Sequence, residues 1–451
     1  MSIVFTALSF VLVLFVPFSN LSWAQDVSVL PESSSLTRGL RSIQADDANK
    51  NSMLSSILSE PSGALNIEQA QALALMNHPA LLAVSWELRA RDAARLQAGL
   101  LPNPVFGFEI ENFIGSGAFS GTDTAEATLS LQQRFETAGK RSKRKKVAGL
   151  ERVLLGWDYE TLRLSLFTEV SQIFVEVLGD QEKILLAKDL LKLAAQVAEV
   201  VERRVDAGKV SPVEAVKAKV ALSLAKIELS RAERELISSR KSLSAMWGST
   251  DPQFKSVVGQ LSPNAHLPSF EKLSAHLSQN PELARWDTEL AQRTAVVDLE
   301  KANAVPDVSF GAGFRQFNAT DDSALLAGIS MDLPVFNRNQ GNIQGARAQH
   351  SKALAARQTA ILRLKTSLAQ AYRFLSTTHV EAEGLKNEVL PGAQKAFDAV
   401  SEGYRLGKFD LLDVLDAQRT LSQARAQYLQ TQVDYQKAVS DVERLIAKKL
   451  K

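Results

Sequence analysis

The pattern on which this chain is built is clearest in one segment, Gly407-Lys408-Phe409-Asp410-Leu411-Leu412-Asp413-Val414-Leu415-Asp416-Ala417. Gly407 fits the position just after a helix end, where a positive φ carries no steric penalty for glycine. Asp410 fits the N-cap of a following helix, and Asp413, at N3, places a carboxylate near the positive end of that helix. The segment therefore predicts a tight turn between two antiparallel helices.

Two acidic residues of this segment are predicted to share one helix face, because Asp413 and Asp416 are three positions apart. Leu411, Leu412 and Leu415 are expected to point elsewhere, into packing. Two interpretations are open at this point. The acids are either solvated groups of a capped helical hairpin or a pair with a function of its own.

The same layout occurs earlier in the chain, in Ala207-Gly208-Lys209-Val210-Ser211-Pro212-Val213-Glu214. We predict that Gly208 ends a helix and that Ser211 caps the next one. Pro212 fits the first helical position, and Glu214 fits N3, where it would complete a capping box with Ser211. The two turn glycines, Gly208 and Gly407, lie 199 residues apart.

Other landmarks recur at nearly the same distance along the chain, which indicates a tandem duplication. Three pairs are each separated by 202 residues: Pro79 and Pro281, Pro104 and Pro306, and Gly139 and Gly341. The predicted divisions are a signal peptide (1–24), an extended N-terminal segment (25–64), a first repeat (65–265) and a second repeat (266–451).

Composition excludes several classes of protein. The net charge is only +2, so no strong field favours nucleic acid. The chain has no Cys, which removes disulfides, zinc–thiolate sites, thiol nucleophiles and a lipid-anchored N-terminal Cys.

The apolar run from Ile3 to Phe18, followed by Ser22-Trp23-Ala24, predicts a secretory signal peptide and a mature chain that starts near Gln25. No later segment has the ~18 consecutive apolar residues that a spanning helix needs.

Two β-hairpins are predicted, at 105–136 and 307–336, each with a loop that contains Gly or Asp. Apolar and polar residues alternate along all four strands, as in Ala127-Thr128-Leu129-Ser130-Leu131. Alternation over ~9–11 residues is typical of membrane-barrel strands, although one face of a soluble β-sandwich shows it too. Four strands cannot close a membrane barrel, whereas three chains together would supply twelve.

Very long helices are predicted between the hairpins, over Lys140 to Val205 and Asn339 to Arg405, and a shorter helix follows each. Pro391 is expected to kink the second of them. The basic run Lys140-Arg141-Ser142-Lys143-Arg144-Lys145-Lys146 contains no aromatic residue, so it favours a solvated helix start below a membrane face over a nucleic-acid site. Helices this long indicate a coiled-coil-like bundle or barrel.

Patterns for catalysis or cofactor binding are missing from the sequence. None of the five His residues is paired at metal-ligand spacing, and the glycine-rich stretch 115–121 joins two predicted strands, so we interpret it as a hairpin loop. We therefore expect no enzyme activity, no metal site and no cofactor. Glu109, Glu111 and Glu126 fall on the polar strand faces. They either give a barrel lumen a negative lining or are ordinary wetted groups.

The order of hairpin, long helix, turn and shorter helix in both halves resembles the TolC-type outer-membrane efflux family. Tyr404-Arg405-Leu406-Gly407, followed by Leu412-Asp413-Val414-Leu415-Asp416-Ala417, is similar to the periplasmic tip of that family. Leu101-Pro102-Asn103-Pro104 and Glu136-Thr137-Ala138-Gly139-Lys140-Arg141 resemble the CzcC branch, which serves cobalt–zinc–cadmium and related cation efflux. The resemblance covers roughly residues 65–449.

The resemblance implies a mixed α/β membrane protein, mainly α-helical, that assembles as a homotrimer. Each chain would give four strands to a twelve-stranded transmembrane β-barrel, continued by a long periplasmic α-helical barrel. The implied location is the outer membrane of a Gram-negative bacterium, in contact with outer-membrane lipid. The implied partners are a periplasmic adaptor protein and an inner-membrane pump of the resistance–nodulation–division type.

The resemblance also assigns roles to particular residues. It places Asp413 and Asp416 at a gate, and Gly208 and Gly407 at the tips where the adaptor docks. This chain has Phe409 where the family often has a basic residue that latches the tip. Two other functions are open: a duct of the same family for organic compounds or peptides, and a trimeric coiled-coil structural protein without transport.

Overall fold

The computed structural model describes residues 60–263 and 267–450, so the predicted signal peptide and most of the predicted extended segment lie outside the described residues. The α-helices are α1 (Ile67–Asn77), α2 (Pro79–Ala98), α3 (Lys140–Asp206), α4 (Pro212–Ala245), α5 (Phe270–Ser274), α6 (Pro281–Asn303), α7 (Gln340–Gly384), α8 (Leu390–Arg405) and α9 (Leu411–Ile446). The strands are β1 (Ala64–Leu65), β2 (Val105–Glu111), β3 (Glu126–Phe135), β4 (Ser256–Val257), β5 (Val308–Phe317) and β6 (Asp322–Met331).

Both predicted hairpins are present, and they join into one antiparallel sheet with the strand order β2-β3-β5-β6. The register places apolar side chains together on one face, since Leu129 lies opposite both Phe108 and Phe314. This face is open, with Phe106 exposed to 68% and Leu325 to 88%. In the described part of the chain, β2 and β6 have a strand neighbour on one side only.

The long helices run away from one end of this sheet. Helix α3 has 67 residues and, at 1.5 Å per residue, extends about 100 Å. It packs along α4, α6 and α9, and α7 packs along α6 and α9. Within the described residues, no helix is both long enough and apolar enough to cross a membrane.

Near Pro391, where the sequence predicts a kink, the structure has a π-helix, Leu385–Val389, which separates α7 from α8. In an α-helix, residue 391 would donate its N–H to the carbonyl of Asn387, but proline has no N–H to donate. A wider turn just before the proline absorbs this lost bond, so the helix continues as α8 instead of ending.

The basic run at the start of α3 is not simply solvated, which corrects the expectation from the sequence. Lys140 is buried, and its Nζ lies 2.5 Å from Oδ1 of Asp307, the residue before β5. The same oxygen accepts a hydrogen bond from the N–H of Thr137 at 3.0 Å. Arg144 forms a two-point ion pair with Glu136. These contacts attach the helix to the ends of β3 and β5.

The start of the described chain is fixed to the middle of the helical part. Strand β1 pairs in parallel with β4. The Glu60 carboxylate accepts hydrogen bonds from the Trp247 indole at 3.0 Å and from the N–H of Phe254 at 3.1 Å. The carboxylate thus accepts from a backbone N–H and an indole N–H that would otherwise lack an acceptor near the core.

Candidate functional site

The two predicted helical turns have the same backbone geometry. Gly208 has φ +66° and Gly407 has φ +77°, both in the left-handed region that favours glycine. In each turn the next residue closes the helix end, since Lys209 donates its N–H to the Arg204 carbonyl at 2.9 Å and Lys408 to that of Gly403 at 2.8 Å. Both glycines are exposed, so the turns are surface features at the far end of the long helices.

The structure brings the two turns together, through Tyr404. This residue is buried in an apolar cluster that includes Val201 of the first helix pair and Val414 of the second. Its hydroxyl donates a hydrogen bond to Oε2 of Glu214 at 3.2 Å. Ser211 caps its helix through the N–H of Val213. The capping box expected between Ser211 and Glu214 is absent from the contacts described for this turn, and Glu214 serves the neighbouring hairpin instead.

Arg204 reinforces this link from the end of α3. Its guanidinium lies over the Tyr404 ring, 4.4 Å from the centroid, and donates to the Tyr404 carbonyl at 2.6 Å. Burial raises the pKa of the Tyr404 hydroxyl, and the negative charge and hydrogen bond of Glu214 raise it further. Tyr404 therefore stays a neutral donor to Glu214 over a wider pH range than a free tyrosine would.

Asp413 and Asp416 lie on the exposed face of α9, and the buried residues Leu411 and Val414 lie on the other face. Asp413 accepts a hydrogen bond from the N–H of Asp410 at 3.0 Å, so it closes the helix start as predicted. Asp416 instead forms an ion pair with Arg419, one turn along the helix. Both carboxylates remain open to whatever occupies the space beside α9.

The expectation for Leu412 is wrong, because its side chain is exposed to 61% instead of packed. It lies near Phe409, which is exposed to 46%. A Cβ added to Gly403 would meet the Phe409 ring at 2.2 Å, so only glycine leaves room for this ring against the helix. Phe409 is therefore an aromatic ring packed on its own turn.

The three acids predicted for the polar strand faces do lie on the polar face of the sheet, toward the end away from the helices. Glu111 and Glu126 are directly opposite each other in the register, and Glu109 lies two residues along β2, opposite Thr128. The structure adds a residue that sequence reasoning did not assign. Arg315 lies 2.8 Å from Glu111 and 2.9 Å from Glu126, so this end of the face is not purely acidic.

The residues missed by the sequence analysis are those whose partners are far away in the chain. Tyr404 and Glu214 are 190 positions apart, and Arg315 and Glu126 are 189 apart. A signal for Arg315 existed, because alternation places it on the polar face of its strand. For metal binding, the described residues contain no group of three or more His, Cys, Asp or Glu side chains placed to hold an ion.

The chain is similar to known proteins over most of its length. The profile of the family described as outer membrane efflux protein matches residues 71–249 and 273–448. The cobalt-zinc-cadmium resistance protein CzcC of Cupriavidus metallidurans is 34% identical over 389 residues, which cover 86% of this chain and 91% of that protein. The nickel and cobalt resistance protein CnrC of the same organism is 25% identical and covers 67% of this chain and 73% of its own. Among solved structures, CusC has a TM-score of 0.71 at 18% identity, covering 85% of this chain and 92% of that one.

Proposed function

Because this chain belongs to the outer membrane efflux protein family, we propose that it is the exit duct of a three-component efflux system for divalent heavy-metal cations. The observation that carries the metal cargo is the similarity to a cobalt-zinc-cadmium resistance protein along nearly the whole of both chains. The protein resides in the outer membrane, with its long helices in the periplasm. No catalytic step is assigned to it.

The sheet supports a duct that is built from several copies. Its apolar face is exposed along all four strands, as expected of a surface that meets lipid. Its two edge strands, β2 and β6, need partners, because unpaired backbone groups are costly in a membrane. Three chains that pair β6 of one copy with β2 of the next would close a barrel of twelve strands with the polar face inside.

The helical turns support docking to a periplasmic partner. Gly208 and Gly407 are exposed at the end of the molecule farthest from the sheet, where a second protein can approach. We assign this end to an adaptor protein that links the duct to an inner-membrane pump of the resistance–nodulation–division type. The duplicated halves, 65–265 and 266–451, would then each present one turn to the adaptor.

The cargo is tested by the resistance profile of a strain that lacks this chain. We expect the deletion to lower growth on cobalt, zinc and cadmium salts and to leave tolerance to dyes, detergents and antibiotics unchanged. Re-expression of the wild-type chain should restore metal tolerance. A deletion strain that loses tolerance only to organic compounds would overturn the metal assignment and favour an organic duct. Absence of the protein from outer-membrane fractions would overturn the duct itself.

A further inference from the structure

The charged cluster at the outer end of the sheet invites a functional interpretation that rests on the proposed duct. Strand β2 leaves the helices and ends at Glu111, and β3 begins its return at Glu126. These residues therefore lie at the end of the sheet where the loops 112–125 and 318–321 connect the strands. In the proposed assembly this end is the mouth through which cargo leaves the cell.

Glu111 and Glu126 face each other across two strands, an arrangement that like charges make unfavourable. Arg315 reaches them from β5 with the three nitrogens of its planar guanidinium: it hydrogen-bonds to Thr128 and Glu126 and forms an ion pair with Glu111. Its Nε donates to Oγ1 of Thr128 at 2.9 Å, and its two terminal nitrogens contact Glu126 at 2.9 Å and Glu111 at 2.8 Å. Thr128 is buried, and its hydroxyl fixes one edge of the guanidinium beside the two carboxylates.

We infer that Arg315 sets the charge of the duct mouth and thereby limits how strongly the mouth holds an outgoing divalent cation. Rings of carboxylates concentrate cations, and two facing carboxylates in each of three copies would form a retaining site. Arg315 leaves the three side chains with one net negative charge in place of two. The mouth stays attractive to cations but releases them.

The charged residues that the structure describes around Arg315 are acidic, so the mouth is an acidic surface with one basic side chain in each copy. Glu109 lies on the same face, deeper in the sheet, and has no ion pair among the described residues. Asp322 lies opposite Phe317 at the rim. Arg315 is therefore the cation that contacts this acidic cluster in the described sheet. Its removal should change the local charge by as much as the loss of one acid, in the opposite direction.

A purely structural role for Arg315 makes different predictions. If it only ties β2, β3 and β5 together, any change to the cluster should weaken the trimer and leave the ion preference of surviving channels unaltered. A role in charge setting predicts opposite shifts when the base and the acids are removed. Arg315→Gln exposes the acids, and Glu111→Gln with Glu126→Gln leaves the base alone.

The test uses purified full-length channels in planar bilayers, in a background with Asp413→Asn and Asp416→Asn so that the turns do not dominate the selectivity. Reversal potentials in a KCl gradient give the ratio of cation to anion permeability, and CoCl2 added to one side at a time gives block by a divalent cation. We expect Arg315→Gln to raise the permeability ratio about twofold or more and to strengthen cobalt block from the loop side. The double Gln variant should lower both, and Arg315→Lys should resemble the parent.

The outcomes separate this inference from the function on which it rests. Equal permeability ratios in parent, Arg315→Gln and the double Gln variant would overturn the role of Arg315 while leaving the duct intact. If Arg315→Gln yields no channels, the double Gln variant decides, because it retains the base and removes the repulsion. A parent protein that reaches the outer membrane as a trimer but never conducts would overturn the duct and this inference with it.

Discussion

At the scale of single residues, Tyr404 carries the contact between the two helical turns. Its hydroxyl bonds to Glu214 and its ring packs under Arg204. Tyr404→Phe removes the hydrogen bond, worth about 1 kcal/mol, and keeps the ring. We expect the turns to part more readily and the conductance of the assembled channel to rise. Tyr428→Phe is the matched control, because Tyr428 is half-buried on α9. Single-channel recordings that show the same conductance for the two variants would contradict the role of the Tyr404 hydroxyl.

The pKa of Tyr404 gives the same prediction a pH dependence. Its pKa is raised by burial and then by Glu214, so the neutral hydroxyl is the form that the folded turn favours. A raised native pKa contributes stability that is fully present below the unfolded pKa, about 10 for tyrosine, and is lost as the pH rises through the native value. Conductance of the wild-type channel should therefore rise at alkaline pH, and this transition should be absent in Tyr404→Phe.

The turn glycines can be tested by adding a β-branched side chain. A Cβ added at Gly208 or Gly407 meets no neighbouring atom within 4 Å, so we expect the cost of Gly208→Val or Gly407→Val to come mainly from the positive φ and to be about 1 kcal/mol or more. We expect metal efflux to fall while trimers still reach the membrane, because the new bulk lies where an adaptor would dock. Gly345→Val is the control, since that glycine lies inside α7 with equally open space.

Wild-type resistance in both turn variants would contradict the docking role. Trimers that are lost from the outer membrane in either one would point instead to a folding defect. Measuring metal tolerance and membrane trimer content in the same cultures separates the two results.

Local patterns explain why so much of the residue scale was predictable. A glycine at positive φ and an acid three residues into a helix are both read from neighbours in the sequence, and both turns were found this way. Glu214 shows the limit. Its local pattern fits a capping box, but a tyrosine 190 positions away offered its carboxylate a different donor.

At the scale of elements, the junction between α3 and the sheet depends on Asp307. Burial alone would raise its pKa, but the hydrogen bonds from Lys140 and Thr137 and the Lys140 charge outweigh it and lower the pKa. Asp307→Asn should cost about 1–3 kcal/mol, because it leaves the buried Lys140 ammonium without its counter-charge. Glu199→Gln, which removes an exposed pair with Arg203, is the control and should change little.

The Asp307 contribution also has a defined pH window. A depressed native pKa contributes stability that is present above the unfolded pKa, about 3.9, and is lost as the pH falls through the native value. Heat dissociation of the trimer should thus show an acid-induced loss of stability that Asp307→Asn lacks. Equal heat stability of wild type, Asp307→Asn and Glu199→Gln at neutral pH would remove the junction from the account.

Most elements were predicted because their signals are strong: long apolar periodicity, alternation and prolines at helix starts. The basic run of α3 was misjudged for a physical reason. A row of seven residues with six cations suggests solvent, yet Lys140 and Arg144 turn toward acids that lie at strand ends, and only the folded chain brings those acids near. The π-helix was not predicted either: Pro391 predicts a kink, and the structure has a π-helix that ends two residues before it.

At the scale of the whole molecule, the sequence alone predicted the family because the order of elements is distinctive. The outer-membrane efflux family, the mixed and mainly helical fold and the relation to metal-resistance proteins all agree with the comparisons. A single chain leaves two strand edges and one acidic helix face open. The partners of these edges and of this face would come from other copies in an assembly, so the gate is still a prediction.

In a trimer, Asp413 and Asp416 would form two rings of three carboxylates, about one helical turn apart. Like charges that close repel one another and concentrate cations, as acidic rings do in cation-selective pores. Asp413 has a second task, since it closes the start of α9. Replacing Asp416 is the sharper test, because Asp416 pairs with Arg419 on the same exposed face and takes no part in closing the helix start. Asp416→Asn should lower cation preference and weaken block by multivalent cations in planar bilayers, with trimer stability unchanged. Channels with both acids replaced and wild-type selectivity would show that the acids only cap and solvate the turn.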